Sequence, residues 1–145
     1  MQLAELLGKT DLDVLGHLER QVTVPVIDGI QAQGDLIIIP ADLITTVEPH
    51  TYSRWLPVPP TGVELVRGAA GNNPHTLVAD PGTCEFTNLV RDPLGLAIAI
   101  LTNIKPAYLI HPEHGATGIA PGRWLVRRQQ ELATGRSSRS ILIAD

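Results

Sequence analysis

Cysteine is nearly missing from this chain of 145 residues, where Cys84 stands alone. A single thiol excludes a disulfide framework and a cysteine-rich zinc finger. Aromatic residues are almost as scarce: Tyr52, Trp55, Phe86, Tyr108 and Trp124 are all there are. That poverty argues against single-strand nucleic-acid platforms, which stack bases on rings, and against an aromatic sugar-binding face. No apolar run approaches the roughly 20 residues of a membrane helix; the longest extends from Leu94 to Leu101. The opening MQLAELLGKTD lacks the basic-then-apolar layout of a signal peptide. A cytoplasmic setting, with no membrane partner, is therefore expected. The usual catalytic motifs are missing too. No Gly-x-Ser-x-Gly elbow occurs, and Gly68-Ala69-Ala70-Gly71 follows neither the phosphate-loop nor the dinucleotide pattern.

What is present reads as a folded β protein. Hydrophobic residues make up 43% and charged residues 18%, with a mean hydropathy of +0.11, which excludes intrinsic disorder. The length suits one domain over 1–145, large enough to bury roughly 70% of its unfolded surface. Gly and Pro together supply 25 residues, well above the usual share of about 12%. They fall between short apolar runs, which is the pattern of many turns and short strands.

Three zones follow along the chain. Residues 1–20 form a helical N-terminal segment, with Leu3, Leu6 and Leu7 on one face and Leu12, Leu15 and Leu18 continuing the spacing. Gly8 is expected to break it in two, with Thr10 capping the second piece. Residues 22–131 form the β core. Val22, Val24 and Val26 begin it as an edge strand, since Pro25 cannot donate to a ladder. Leu36–Ile39 reads as a buried strand. Residues 41–62, rich in proline, form the longest irregular stretch and are expected as a surface excursion. Strands resume at 63–67, 76–79, 84–87, 94–101, 107–111, 117–120 and 123–129. Residues 132–145 comprise a polar linker and a short terminal strand. The architecture predicted is mainly β, a single small barrel or sandwich with an N-terminal helix.

The net charge of −4 conceals an asymmetry. Residues 1–50 carry eight acids and two bases, whereas residues 106–145 carry five arginines and three acids. Arg123, Arg127 and Arg128 are the candidate partner-binding residues, either as a solvated strand face or as a contact for an acidic partner. An overall pI near 5.7 makes nucleic acid an improbable partner. On the strand, Trp124 and Val126 share a face with Arg128, while Leu125 shares the other with Arg123 and Arg127.

The densest polar group is His111-Pro112-Glu113-His114-Gly115. His111 and His114 fall on opposite faces of a straight strand, so Pro112 and Gly115 must bend the chain to bring them together. With His75 as a third ligand they are the candidate metal set, for zinc or iron. Glu113 is the candidate catalytic acid or base. The alternative is that these side chains hydrogen-bond a tight turn. Cys84 reads as a small buried hydrophobe rather than a nucleophile.

Several of these segments resemble a group of small uncharacterised bacterial and phage proteins. Gly34-Asp35 before Leu36–Pro40 is similar to that group's opening, and Val63–Gly68 with Asn73–Leu77 to its middle. His111–Gly115 through Pro121–Glu131 resembles its signature, His-x-Glu-His-Gly followed by Pro-Gly-x-aromatic-x-Val-x-Arg-Gln-x-Glu. The likeness covers residues 31–145. This chain departs from the pattern with Ala69 where relatives have Glu, and with Asn73-Pro74-His75 where they have Gly-His-x-His. The resemblance implies no activity.

Two functions of different class are therefore expected. The first is a non-enzymatic binding or accessory protein of a bacterium or phage, working through a protein partner or self-association. The second is a metal-dependent β-barrel enzyme, cupin-like or hydrolytic. A small ribonuclease using a histidine with Arg127 or Arg128 ranks behind both.

Overall fold

A computed structural model of the chain describes residues 1–10, 24–67, 74–132 and 140–142. Helix α1 spans Leu3–Thr10 and is followed by β1 (Val26–Ile27), β2 (Gln31–Gln33), β3 (Leu36–Pro40), β4 (Glu48–Pro49) and β5 (Leu56–Pro57). Next come β6 (Val63–Arg67), β7 (Pro74–Val78), β8 (Cys84–Thr87), β9 (Val90–Arg91) and β10 (Ala97–Asn103). The last five are β11 (Ala107–His111), β12 (Gly115–Ile119), β13 (Gly122–Arg128), β14 (Gln130–Leu132) and β15 (Ser140–Leu142).

Two sheets carry the structure, one in the order β1-β12-β11-β7-β6 and the other β2-β3-β13-β10-β8-β5. Neither order closes on itself, so the fold is a sandwich and the barrel alternative falls away. The period-2 alternation of each strand explains the layering. Leu77, Leu109 and Ile119 from the first sheet meet Leu36, Ile38, Leu101, Trp124 and Val126 from the second, forming the central core. The opposite faces are also apolar. Val78, Tyr108 and Ile110 face outward from the first sheet and are covered by Leu3, Leu6 and Leu7 of α1. Ile39, Ile100 and Leu125 face outward from the second and are covered by Val47, with Ile44 and Trp55 packed alongside.

The structure corrects four details. Helix α1 runs through Gly8, because Leu3, Leu6 and Leu7 anchor it to the sheet while Gly8 faces solvent. The continuation at 11–20 lies outside the described residues. Residues 41–58 are a cover rather than an excursion, since Val47 and Val58 are buried. The strand expected at 94–101 starts only at Ala97, because Leu94 and Gly95 belong to a turn tied down by Asp92. Finally, β2, β4, β5, β9 and β14 were not expected as strands. As expected, β1 is an edge strand, pairing with β12 alone and in parallel.

Candidate functional site

The histidine column begins with strand register. Tyr108, Leu109 and Ile110 of β11 pair with Val78, Leu77 and Thr76 of β7. One further step brings His111 opposite His75, and both have the parity of the inward-facing Leu109 and Leu77. Their rings are in contact, with centroids 4.5 Å apart, and neither residue has any solvent exposure. At the tight β11–β12 turn, His111 pairs with Gly115, leaving Pro112, Glu113 and His114 as the loop. His111 Nδ1 accepts the backbone N–H groups of Glu113 (3.1 Å) and His114 (3.2 Å). That bond folds the loop back, so the His114 ring meets that of His111 at 4.4 Å. His114 and Glu113 are exposed at the surface end of the column.

The inner end is built by β2 and its turn. Gln33 sends its amide N–H to the carbonyls of Leu109 (2.9 Å) and Gly115 (3.4 Å). Two carbonyl acceptors orient the amide, so its oxygen faces His75 Nδ1 at 3.1 Å and receives that N–H. His75 Nε2 lies 3.1 Å from Asp35 Oδ1. Arg128, entering from β13 on the inward parity, brings Nη1 to 3.8 Å from Asp35 Oδ2. Asp35 has no exposure, and its turn is strapped by Gln129, whose Nε2 donates to the carbonyls of Gly34 and Leu36. Gln31 adds a second link between the sheets, donating to Gly118 O at 2.9 Å.

His75, His111 and His114 thus come together as a row of rings in contact, tilted by 41° and 37° from one to the next. Both ring nitrogens of His75 are engaged, and His111 Nδ1 already holds two N–H groups. Among the described residues, no group of three or more His, Cys, Asp or Glu side chains is arranged to hold a metal ion. Gln31 and Gln33 join β2 of one sheet to β11 and β12 of the other, beside a polar column that is buried at His75 and His111 and open at His114. Gln31, Gln33 and Asp35 were not singled out from the sequence. The alternation Gln31-Ala32-Gln33 before a Gly-Asp turn was the available sign of an inward polar edge strand.

The three arginines part company. Arg127 forms a two-pronged pair with Asp92, Nε at 3.0 Å and Nη2 at 2.8 Å, with both side chains largely buried. Burial by itself would raise the Asp92 carboxyl. The Arg127 hydrogen bond, the N–H groups of Leu94 and Ala97 and the Arg127 charge outweigh it and hold the group below its ordinary value. Arg128 turns inward to Asp35. Arg123 is exposed, with its guanidinium 5.2 Å over the Trp55 ring. Cys84 is buried, and its thiol is pushed up to about 12 by desolvation and the neighbouring Glu85 carboxylate, so it stays protonated at neutral pH.

Residues 32–129 match a family model described as a domain of unknown function (DUF8820). This chain belongs to that family. The span encloses Gln33, Asp35, His75, the His111–Gly115 turn and Arg123–Arg128. Helix α1 and the β14–β15 pair fall outside it. A family without an assigned activity is consistent with the uncharacterised group that the sequence resembles. No curated protein and no solved structure matches the chain. Among the described residues, no helix is long and apolar enough to cross a membrane.

Proposed function

We propose that this chain is a non-catalytic binding or accessory protein that docks a protein partner or a second copy of itself. One observation carries the reading. Of the eight large apolar side chains exposed among the described residues, four lie on two segments joined through the backbone, which we group as one belt: Leu43, Tyr52, Leu56 and Leu89. The first three ride on the 41–58 cover, and Leu89 is joined to it where His50 N donates to Leu89 O at 2.8 Å. Tyr52 is 80% exposed. Apolar side chains grouped in this way on a surface mark interaction sites. The inward use of the reactive groups supports the same reading. His75, His111 and Asp35 touch each other rather than solvent, Arg127 is closed on Asp92, and the Cys84 thiol is a poor nucleophile. An accessory role in a bacterium or phage fits the resemblance of the His111–Glu131 segment to proteins of that origin.

Photo-crosslinking tests the reading. A photoreactive residue at position 52 or 89, introduced in cells of the source, is expected to trap a discrete protein or a second copy of the chain. The same residue at position 64, on the edge strand of the other sheet, is expected to trap none. Empty crosslinks at both belt positions refute the proposal. So does stoichiometric zinc or iron in tag-free protein together with a hydrolytic activity abolished by chelation.

A further inference from the structure

Beside the belt lies an open cleft of about 540 Å³, between the turn after β1, the end of β3 and the β12–β13 turn. Its volume is in the range of ligand sites, about 300–1,000 Å³. We infer that this cleft is the docking groove for a basic, partly aliphatic segment of a partner protein, an inference that rests on the docking reading above.

The floor is apolar and short of free hydrogen-bond donors. Pro40 and Pro121 have no N–H to offer, and Ala41 adds only a methyl group. Trp124 is buried in the central core and spends its indole N–H on Ala120 O at 2.9 Å, so it brings no free donor to the cleft. Gly122 lies against the edge of that ring, where a Cβ would stand 3.1 Å from Trp124 Nε1 and 3.5 Å from Cε2.

The rim is charged with one excess sign. Asp28 and Asp42 line the cleft and are exposed, and among the described residues neither makes an ion pair or hydrogen bond. Among the described residues, Arg123 is the single basic one lining the cleft, and it rests over Trp55. Two carboxylates against one base give the described lining one net negative charge. This sign is opposite to that suggested by the arginine run, because Arg127 and Arg128 are turned onto Asp92 and Asp35. Exposed aliphatic side chains flank the rim, Ile30 at 56% and Leu43 at 61%. Leu43 adjoins Asp42 and joins the cleft to the belt. The complement is a segment that sets a lysine or arginine between the carboxylates and lays an aliphatic side chain on the floor of Pro40, Ala41 and Pro121.

Three short fluorescent peptides test this against the purified chain by anisotropy: one alternating Lys and Leu, one alternating Glu and Leu, and one alternating Lys and Ser. The Lys/Leu peptide is expected to bind best. Asp28→Asn and Asp42→Asn are each expected to weaken it roughly two- to fivefold, as exposed charges do, and added salt to weaken it as well. Arg123→Gln is expected to tighten it. Amide shift changes are expected at Ala41–Leu43 and Gly122–Trp124. Unchanged affinity in the double Asp variant, preference for the Glu/Leu peptide, or shifts centred on Tyr52 and Leu89 each overturn the cleft assignment. So does a failure of the Lys/Leu peptide to bind. If the belt crosslinks persist in any of these cases, the docking reading survives; if they are also empty, both fail.

Discussion

Asp92 is the carboxylate whose removal the fold should resist most. It accepts the backbone N–H groups of Leu94 (3.0 Å), Leu96 (3.2 Å) and Ala97 (2.8 Å), and closes two hydrogen bonds with Arg127. Its side chain is 2% exposed and that of Arg127 12%. Asp92→Ala removes the partner of a largely buried guanidinium, which costs about 3–5 kcal/mol. Against a total of roughly 5–15 kcal/mol, that is a large fraction. Asp92→Asn keeps an oxygen for the turn but loses the charge, and is expected to cost about 1.5–3 kcal/mol. Arg127→Ala should cost less than Asp92→Ala, since the carboxylate keeps its three N–H donors. Urea denaturation gives each value from the midpoint at constant slope. The double variant should fall short of the summed single effects by about 0.5–3 kcal/mol. The sign with pH follows from the lowered native carboxyl. The stabilisation from Asp92 is fully present above the unfolded value, about 3.9, and is lost as pH falls through the native one. Asp92→Asn should lack that part of the acid dependence. A cost below about 1 kcal/mol for Asp92→Ala, or strict additivity in the double variant, would refute the reasoning.

Three further outcomes are expected. Gln33→Leu removes the amide that bonds the Leu109 carbonyl and His75 Nδ1 across the sheets and should cost about 1–3 kcal/mol by urea denaturation. It should also shift the imidazole resonances of His75 and His111 in NMR spectra. Leu109→Ala, at a position with no exposure, should cost about 2–5 kcal/mol; a change within error would show that β11 is not central. Cys84 should resist a thiol reagent in the native protein at neutral pH and react at the rate of global opening, whereas fast native labelling would contradict its burial.

The sequence by itself determined most of the longer strands and their faces. Leu36–Pro40, Val63–Arg67, Cys84–Thr87 and Ala107–His111 were legible because aliphatic runs bounded by Gly, Pro or Asp leave few alternatives. Parity along 123–128 correctly separated Trp124, Val126 and Arg128 from Leu125, Arg123 and Arg127, since side-chain direction in a strand is a local property. Pairing was not legible, because it depends on residues far apart in the chain. Whether the sheets close into a barrel, and that one step of β7–β11 register sets His75 against His111, are decided by which strands meet. The same holds for the polar partners. Asp35 and His75 are 40 positions apart, as are Gln33 and Leu109 by 76, and Asp92 reaches Arg127 over 35. A two-residue His-x-x-His spacing admits an ion, a turn or a ring contact equally. Only the folded chain shows that Gln33 and Asp35 meet the two ring nitrogens of His75 and that two backbone N–H groups meet His111 Nδ1.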